Sequence, residues 1–176
     1  AYVNITTFTE KEKKAVSKFI DGANIPSDVG EEKTIMLLED YMKNHINIDE
    51  KLAGDDADNI EAIVKTSNTN NFGAVRLFVG LLENKNISYQ IVFPSVRDEL
   101  PLDEELADWN RIDETLIYFP GTGKLVQPSA SEYRYPFVAA LWAGTRGLFL
   151  KGTSIGNIKT AIGKFDDVPI EPCDSN

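Results

Sequence analysis

The apolar residues of this chain recur at helical spacing in the first half and in short strand-like runs in the second. Segments with apolar side chains every three or four positions are predicted to be helices: residues 8–20, 31–44, 59–65 and 72–84. Thr9, with Glu12 three positions later, is typical of a capping box at a helix start. Runs rich in β-branched and aromatic residues predict strands at 87–93, 116–119, 125–126, 147–150 and 158–164. A short helix is predicted at 135–142.

Helices that precede strands favour an α+β fold over alternating βαβ units. The segment 72–84 has the widest apolar face and should be the most buried helix. We expect it to pack on an antiparallel sheet, with additional helices from the N-terminal part of the chain. One domain is expected over residues 1–176, with an N-terminal helix and turn in 1–29, a core in 30–150 and a C-terminal strand and tail in 151–176.

The charge balance limits the possible partners. The 176 residues include 28 acidic and 18 basic side chains, for a net charge of −10. Because an acidic surface repels phosphate backbones and anionic lipids, nucleic acids and membrane surfaces are not expected as partners. No apolar run approaches the length of a transmembrane helix, so direct insertion into a bilayer is not expected.

The residues that commonly bind metals through sulfur or nitrogen are scarce, since Cys173 is the only cysteine and His45 the only histidine. Cys173 has acidic neighbours that disfavour a thiolate, so we expect an inert thiol in the tail. His45 lacks the further ligands that zinc requires, and we expect a structural or solvent-facing role at the end of the second helix. The acidic run at 55–58 lacks the spacing of a calcium loop. We therefore expect no metal and no cofactor.

Residues 70–93 have the layout of a helix that carries a nucleophile and leads into a core strand. Two further strand segments follow, where the partners of such a nucleophile would stand. On this ordered set, residues 30–150 resemble the transglutaminase-like branch of the papain-type fold. More narrowly, on the stretches NFGAVRL (71–77) and LIYFP (116–120), the chain is similar to the transglutaminase-like domains of large bacterial cell-envelope proteins of unknown function. The resemblance implies that this chain is a fragment of a larger protein.

The resemblance also implies positions for a Cys-His-Asp triad. Its cysteine position falls at Asn71, its histidine position at Glu114 and its aspartate position at Gln127. An amide cannot replace a thiolate as attacking group, and a carboxylate is not an imidazole base, so the triad is degenerate. We therefore expect a pseudoenzyme, a non-catalytic module with a structural or binding role. The resemblance implies the periplasm or cell envelope, with the cytoplasm as the alternative.

Each of these positions also has a plainer interpretation. Asn71 suits the N-cap of the helix, because asparagine satisfies the free N–H groups of a first turn. Glu114 suits a solvated carboxylate that pairs with Arg97 or Arg111, an arrangement that contributes little. Gln127 suits a polar strand end, from which its amide could donate a hydrogen bond to Glu114.

The sequence is also compatible with two functions other than a non-catalytic module. One is a hydrolase that uses paired carboxylates, Glu114 with Asp113 or Asp108. The other is an acidic protein-interaction domain that docks onto a neighbouring domain of its parent protein. For a binding module, Trp109 and Tyr118 are candidate groove residues for a peptide or glycan, because aromatic rings supply contact area at low entropic cost.

Overall fold

The structure is a computed structural model that describes residues 2–94, 114–155 and 158–171. These residues form five α-helices: α1 (Tyr2–Thr6), α2 (Glu10–Ala23), α3 (Glu31–His45), α4 (Ile60–Thr66) and α5 (Asn71–Asn84). They also form seven strands: β1 (Asn47–Ile48), β2 (Asn68–Thr69), β3 (Gln90–Pro94), β4 (Leu116–Phe119), β5 (Lys124–Val126), β6 (Arg146–Ile155) and β7 (Ile158–Asp167). The predicted α+β class is confirmed, because the longer helices precede an antiparallel sheet.

Helix α5 is buried along ten consecutive residues, Gly73–Leu82. The other four helices pack against it, and Ile91 and Ile117 of the sheet belong to the same core. The packing is closest at the first turn, where a Cβ atom on Gly73 would lie 2.6 Å from the carbonyl oxygen of Ala57. Only glycine therefore fits at this position. The prediction that this segment is the most buried helix is confirmed.

The five-stranded sheet has the order β5-β4-β3-β6-β7, and every neighbouring pair is antiparallel. Ile91 of β3 lies opposite Ile117 of β4 on one side and Leu150 of β6 on the other. Side chains of this register face the helices and join the main core. Because side chains alternate along a strand, Val92 and the residues opposite it on the adjacent strands, Leu116 and Phe149, face the other way.

The second face of the sheet is covered by irregular chain. Val92, Leu116 and Phe149 form a small second core with Trp142 and with Val168, which follows β7. Val138 and Ala139 pack against the same cluster. The segment 138–145 thus covers the sheet opposite the helices and gives the domain a third layer.

This covering segment corrects one prediction. Residues 135–142 form turns rather than the predicted short helix. Val138, Ala139 and Trp142 pack on the flat surface of the sheet. The backbone N–H of Ala139 donates to a side chain, Gln127, rather than to a helical carbonyl. Tertiary packing here outweighs local spacing.

Two other elements differ from expectation. The short helix α1 was not predicted, although Ile5 and Thr6 in it are buried. The hairpin of β6 and β7 is longer than predicted, because its glycines and threonines extend the ladder without apolar alternation. The predicted strand at 87–93 begins only at Gln90.

Candidate functional site

The predicted cysteine position lies in the first turn of α5. Asn70 is the N-cap, and its side-chain oxygen accepts a hydrogen bond from the backbone N–H of Gly73 at 2.8 Å. Its amide nitrogen donates to the carbonyl oxygen of Leu52 at 3.3 Å. The interpretation of Asn71 as the cap is wrong by one residue. Asn70 has the extended backbone (φ −92°, ψ −178°) that a cap requires, whereas Asn71 is already helical.

Further along α5, Arg76 forms a largely buried ion pair with Glu12 of α2. Arg76 Nη1 lies 2.9 Å from Glu12 Oε2. The guanidinium also donates to the backbone carbonyl oxygens of Asn4, Thr7 and Asp58. We call Glu12, Arg76 and the backbone groups that they bind the helix cluster. It ties α2 and α5 to the chain around α1 and ahead of α4.

The carboxylate in the helix cluster is held in its charged form. Burial alone would raise the pKa of Glu12, but hydrogen bonds from Arg76 and from the backbone N–H groups of Thr9 and Ile60 outweigh burial and hold the pKa below its ordinary value. The Thr9 hydroxyl in turn accepts from the backbone N–H of Glu12, so the predicted capping box is confirmed.

The predicted histidine and aspartate positions meet at one end of the sheet. Glu114 precedes β4 and Gln127 follows β5, and these strands pair antiparallel. Gln127 Nε2 donates to Glu114 Oε2 at 3.0 Å, which is the hydrogen bond that was expected. Glu114 Oε1 accepts from Ser129 Oγ at 2.5 Å and from the backbone N–H of Thr115 at 3.0 Å. Both carboxylate oxygens are thus bound by donors of this chain.

A second ion pair anchors this end of the sheet to α3. Lys43 Nζ lies 2.9 Å from Glu39 Oε2, and the two side chains are 0% and 2% exposed. The ammonium also donates to the carbonyl oxygens of Gln127, at 2.9 Å, and Tyr133, at 2.7 Å. Glu39 Oε1 accepts from the backbone N–H of Tyr135 at 2.6 Å. We call Glu39, Lys43, Glu114, Gln127 and Ser129 the strand-end cluster.

Burial lowers the pKa of Lys43, while the adjacent Glu39 carboxylate opposes that shift. All three ammonium protons have acceptors, so the lysine holds the chain that follows β5 against α3.

Sequence reasoning missed the charged pairs that support both clusters. A signal was present in each case. Glu39 and Lys43 are four residues apart and alternate with Leu38 and Met42 on the apolar face of α3. Arg76 interrupts the apolar run of α5. Charged residues inside an apolar face are rarely buried unless they are paired, so both pairs were open to prediction.

Other predicted site residues are not brought to these clusters. Tyr118 is half-buried on the sheet face away from α5, where its ring meets that of Phe149 edge-on at 5.5 Å. Within the described residues, no hydrogen bond joins Asn71 to Glu114 or Gln127. Further residues of the predictions lie outside the described part of the chain: Arg97, Asp108, Trp109, Arg111, Asp113 and Cys173.

His45 is the last residue of α3 and is exposed to solvent. Its Nδ1 lies 2.8 Å from the carbonyl oxygen of Tyr41, and the two rings are 4.0 Å apart. Over residues 2–94, 114–155 and 158–171, no group of three or more histidine, cysteine, aspartate or glutamate side chains is arranged to hold a metal ion. In the same residues, no helix has the length and apolar character needed to cross a membrane.

Two hollows on the surface lie away from both clusters. One, of about 460 Å³, is lined by the turn at 25–29 and by residues 85–88. The other, of about 430 Å³, lies beside Phe19 and Tyr41. Neither is lined by Asn71, Glu114 or Gln127, so the predicted triad positions do not open into these hollows.

The strand-end cluster is better suited to fixing the backbone than to chemistry. A serine nucleophile needs access to substrate and a base that can take its proton. Ser129 is buried, and its hydroxyl points at a carboxylate that also binds Gln127 and a backbone N–H. Gln127 Oε1 accepts from the backbone N–H of Ala139 at 2.9 Å. The cluster therefore links both strand ends to the segment that covers the second face.

No protein-family model, curated protein or solved structure matches this chain.

Proposed function

We propose that this chain is a non-catalytic transglutaminase-like domain in which the strand-end cluster supports a binding surface. The observation that carries the proposal is the hydrogen-bonded pair of Glu114 and Gln127. The two residues stand where the resemblance expects the histidine and aspartate of a triad, and both are engaged with groups of their own chain.

The order of elements supports a papain-type arrangement. In the proposed family, a buried helix is followed by strands that carry the partners of its nucleophile. Here α5 is followed by the adjacent strands β3, β4 and β5. The hydrogen bond between Glu114 and Gln127 spans the ends of β4 and β5, as the histidine–aspartate contact of the family would.

The binding partner proposed is a peptide, a glycan or a neighbouring domain of the parent protein, in the cell envelope or periplasm. This part of the proposal rests on the resemblance. It is tested by binding assays with peptide and glycan arrays on the wild type and on Trp109→Ala and Tyr118→Ala. Weaker binding in either variant supports an aromatic groove, and unchanged binding in both removes these residues from the proposal.

The absence of catalysis is tested directly. Purified wild type is screened with thiol-protease, transglutaminase and glycosidase substrates beside Asn71→Ala and Glu114→Gln. We expect no turnover above the blank in any of the three proteins. Turnover that is lost in Glu114→Gln, with cooperative unfolding retained, would instead support the hydrolase that pairs Glu114 with Asp113 or Asp108. Thiol-type turnover that depends on Asn71 would overturn the proposal altogether.

A further inference from the structure

Among residues 2–94, 114–155 and 158–171, strand β7 lies at one end of the five-stranded sheet and pairs only with β6. Just beyond it, the backbone N–H of Val168 donates to the carbonyl oxygen of Thr145 at 2.7 Å. Hydrogen-bonded and non-bonded pairs alternate along an antiparallel ladder, so this bond fixes which β7 residues bond to β6. The intervening residues direct their backbone groups to the free edge: Lys159, Ala161, Gly163, Phe165 and Asp167.

This edge has a charge pattern that is complementary to itself. Lys159 lies near the start of β7, and Asp167 is its last residue. Apolar side chains lie between them and are open to solvent, with Ile162 at 65% and Phe165 at 39% exposure. A strand with a cation at one end and an anion at the other places opposite charges together when it pairs antiparallel with its own copy.

We propose that the free edge of β7 pairs with β7 of a second copy of this chain, about a two-fold axis at Gly163. In this register, Lys159 lies opposite Asp167 of the second copy, and Ala161 lies opposite Phe165. Gly163 meets its own copy at the axis. Each unpaired backbone group of the edge then gains a partner, and the two sheets become one.

The side chains that flank the axis are available for this contact. Asp167 is exposed, and its carboxylate makes no hydrogen bond or ion pair within the described residues. Lys159 Nζ donates to the carbonyl oxygen of Thr6 and lies 3.6 Å from Glu83 Oε1. Because an ammonium has three donors, this lysine can bind a further carboxylate without leaving Thr6.

The test is a charge swap read out by sedimentation equilibrium. At a protein concentration of about 0.2 mM, the wild type is expected to form a dimer. Lys159→Asp or Asp167→Lys places like charges together twice in each dimer and should raise the dissociation constant about tenfold. The double variant Lys159→Asp/Asp167→Lys restores opposite charges and should recover the wild-type value. Lys151→Asp, an equal charge change on β6 away from the edge, is the matched control and should leave the constant unchanged.

A backbone variant tests the same contact without charge. Ala161→Pro removes an N–H group that faces the free edge, so it should abolish the dimer while thermal unfolding stays cooperative. A wild type that remains monomeric at about 0.2 mM would overturn the proposal. So would a dimer that Ala161→Pro leaves intact, or a failure of the double variant to re-form it.

Discussion

The helix cluster and the strand-end cluster each contain an ion pair, but the two pairs connect different parts of the molecule. Arg76 and Glu12 are 11% and 6% exposed and join helices to the backbone around them. Lys43 and Glu39 are 0% and 2% exposed and join α3 to the chain beyond β5. The first pair holds one layer together, whereas the second fixes the layers to each other. The residues of the candidate site depend on the second.

The cations of the two ion pairs also differ in the number of hydrogen-bond donors that they have. Arginine has five N–H donors in a planar fork, which allows Arg76 to reach three separate carbonyl groups as well as a carboxylate. Lysine has three donors, and those of Lys43 are all used on Glu39 and on two carbonyl groups of residues far along the chain. Losing the lysine thus frees a particular segment, residues 127–135.

The largest effect is expected for Lys43→Met. It leaves the Glu39 carboxylate buried without its cation, and such changes cost about 3–5 kcal/mol of folding free energy. Urea denaturation measures the loss. The double variant Glu39→Gln/Lys43→Met is the control: it removes the uncompensated charge and keeps an acceptor for the N–H of Tyr135, so it should be more stable than the single variant. A loss below about 1 kcal/mol in Lys43→Met would show that the ion pair does not anchor the segment.

Arg76→Met should cost less, about 2–4 kcal/mol, because the Arg76 side chain keeps some access to solvent. Hydrogen exchange separates this variant from Lys43→Met. Faster exchange is expected in residues 2–12 for Arg76→Met and in residues 127–139 for Lys43→Met. Arg76→Lys is the matched control, which retains the charge but not the fork and should recover only part of the stability. Identical exchange patterns in the two methionine variants would contradict the contrast between the clusters.

The helix cluster should also make the folding free energy depend on pH in the acid range. The folded-state pKa of Glu12 lies below its ordinary value of 4.5, so the folded protein binds this proton less readily than the unfolded chain does. Stability from this group is therefore complete above about pH 4.5 and is lost as the pH falls through the folded-state pKa. Arg76→Met removes a hydrogen bond and a charge that depress this pKa, so its stability should fall less between pH 5 and lower values than that of the wild type. Parallel pH profiles from thermal unfolding would contradict this assignment.

The spacing of residues predicted the parts of the fold that depend on local burial. The apolar face of α5, the capping box at Thr9 and the limits of β4 follow from patterns within a few positions. The contact between Gln127 and Glu114 was also expected, because adjacent antiparallel strands bring their ends together. These inferences need no knowledge of distant segments.

The remainder depends on partners far along the chain. Val138 and Trp142 have spacing compatible with a helix, yet they are not helical because they pack on the second face of the sheet. Helix α1 has only five residues, which is too short for a periodic signal. That Lys43 would bind the backbone of Gln127 cannot be read from either residue alone. Long-range packing therefore sets the features that sequence patterns left open.

The smallest expected effect concerns the start of α5, where two adjacent asparagines have different roles. Asn70→Ala removes the acceptor for the N–H of Gly73 and should cost about 1 kcal/mol. Asn71→Ala is the matched control. It changes a half-buried residue that is already helical, and alanine favours helix, so stability should change by less than about 0.5 kcal/mol. Urea denaturation of both variants shows which asparagine is the N-cap of α5. A larger loss of stability for Asn71→Ala than for Asn70→Ala would identify Asn71 as the cap, as the sequence predicted.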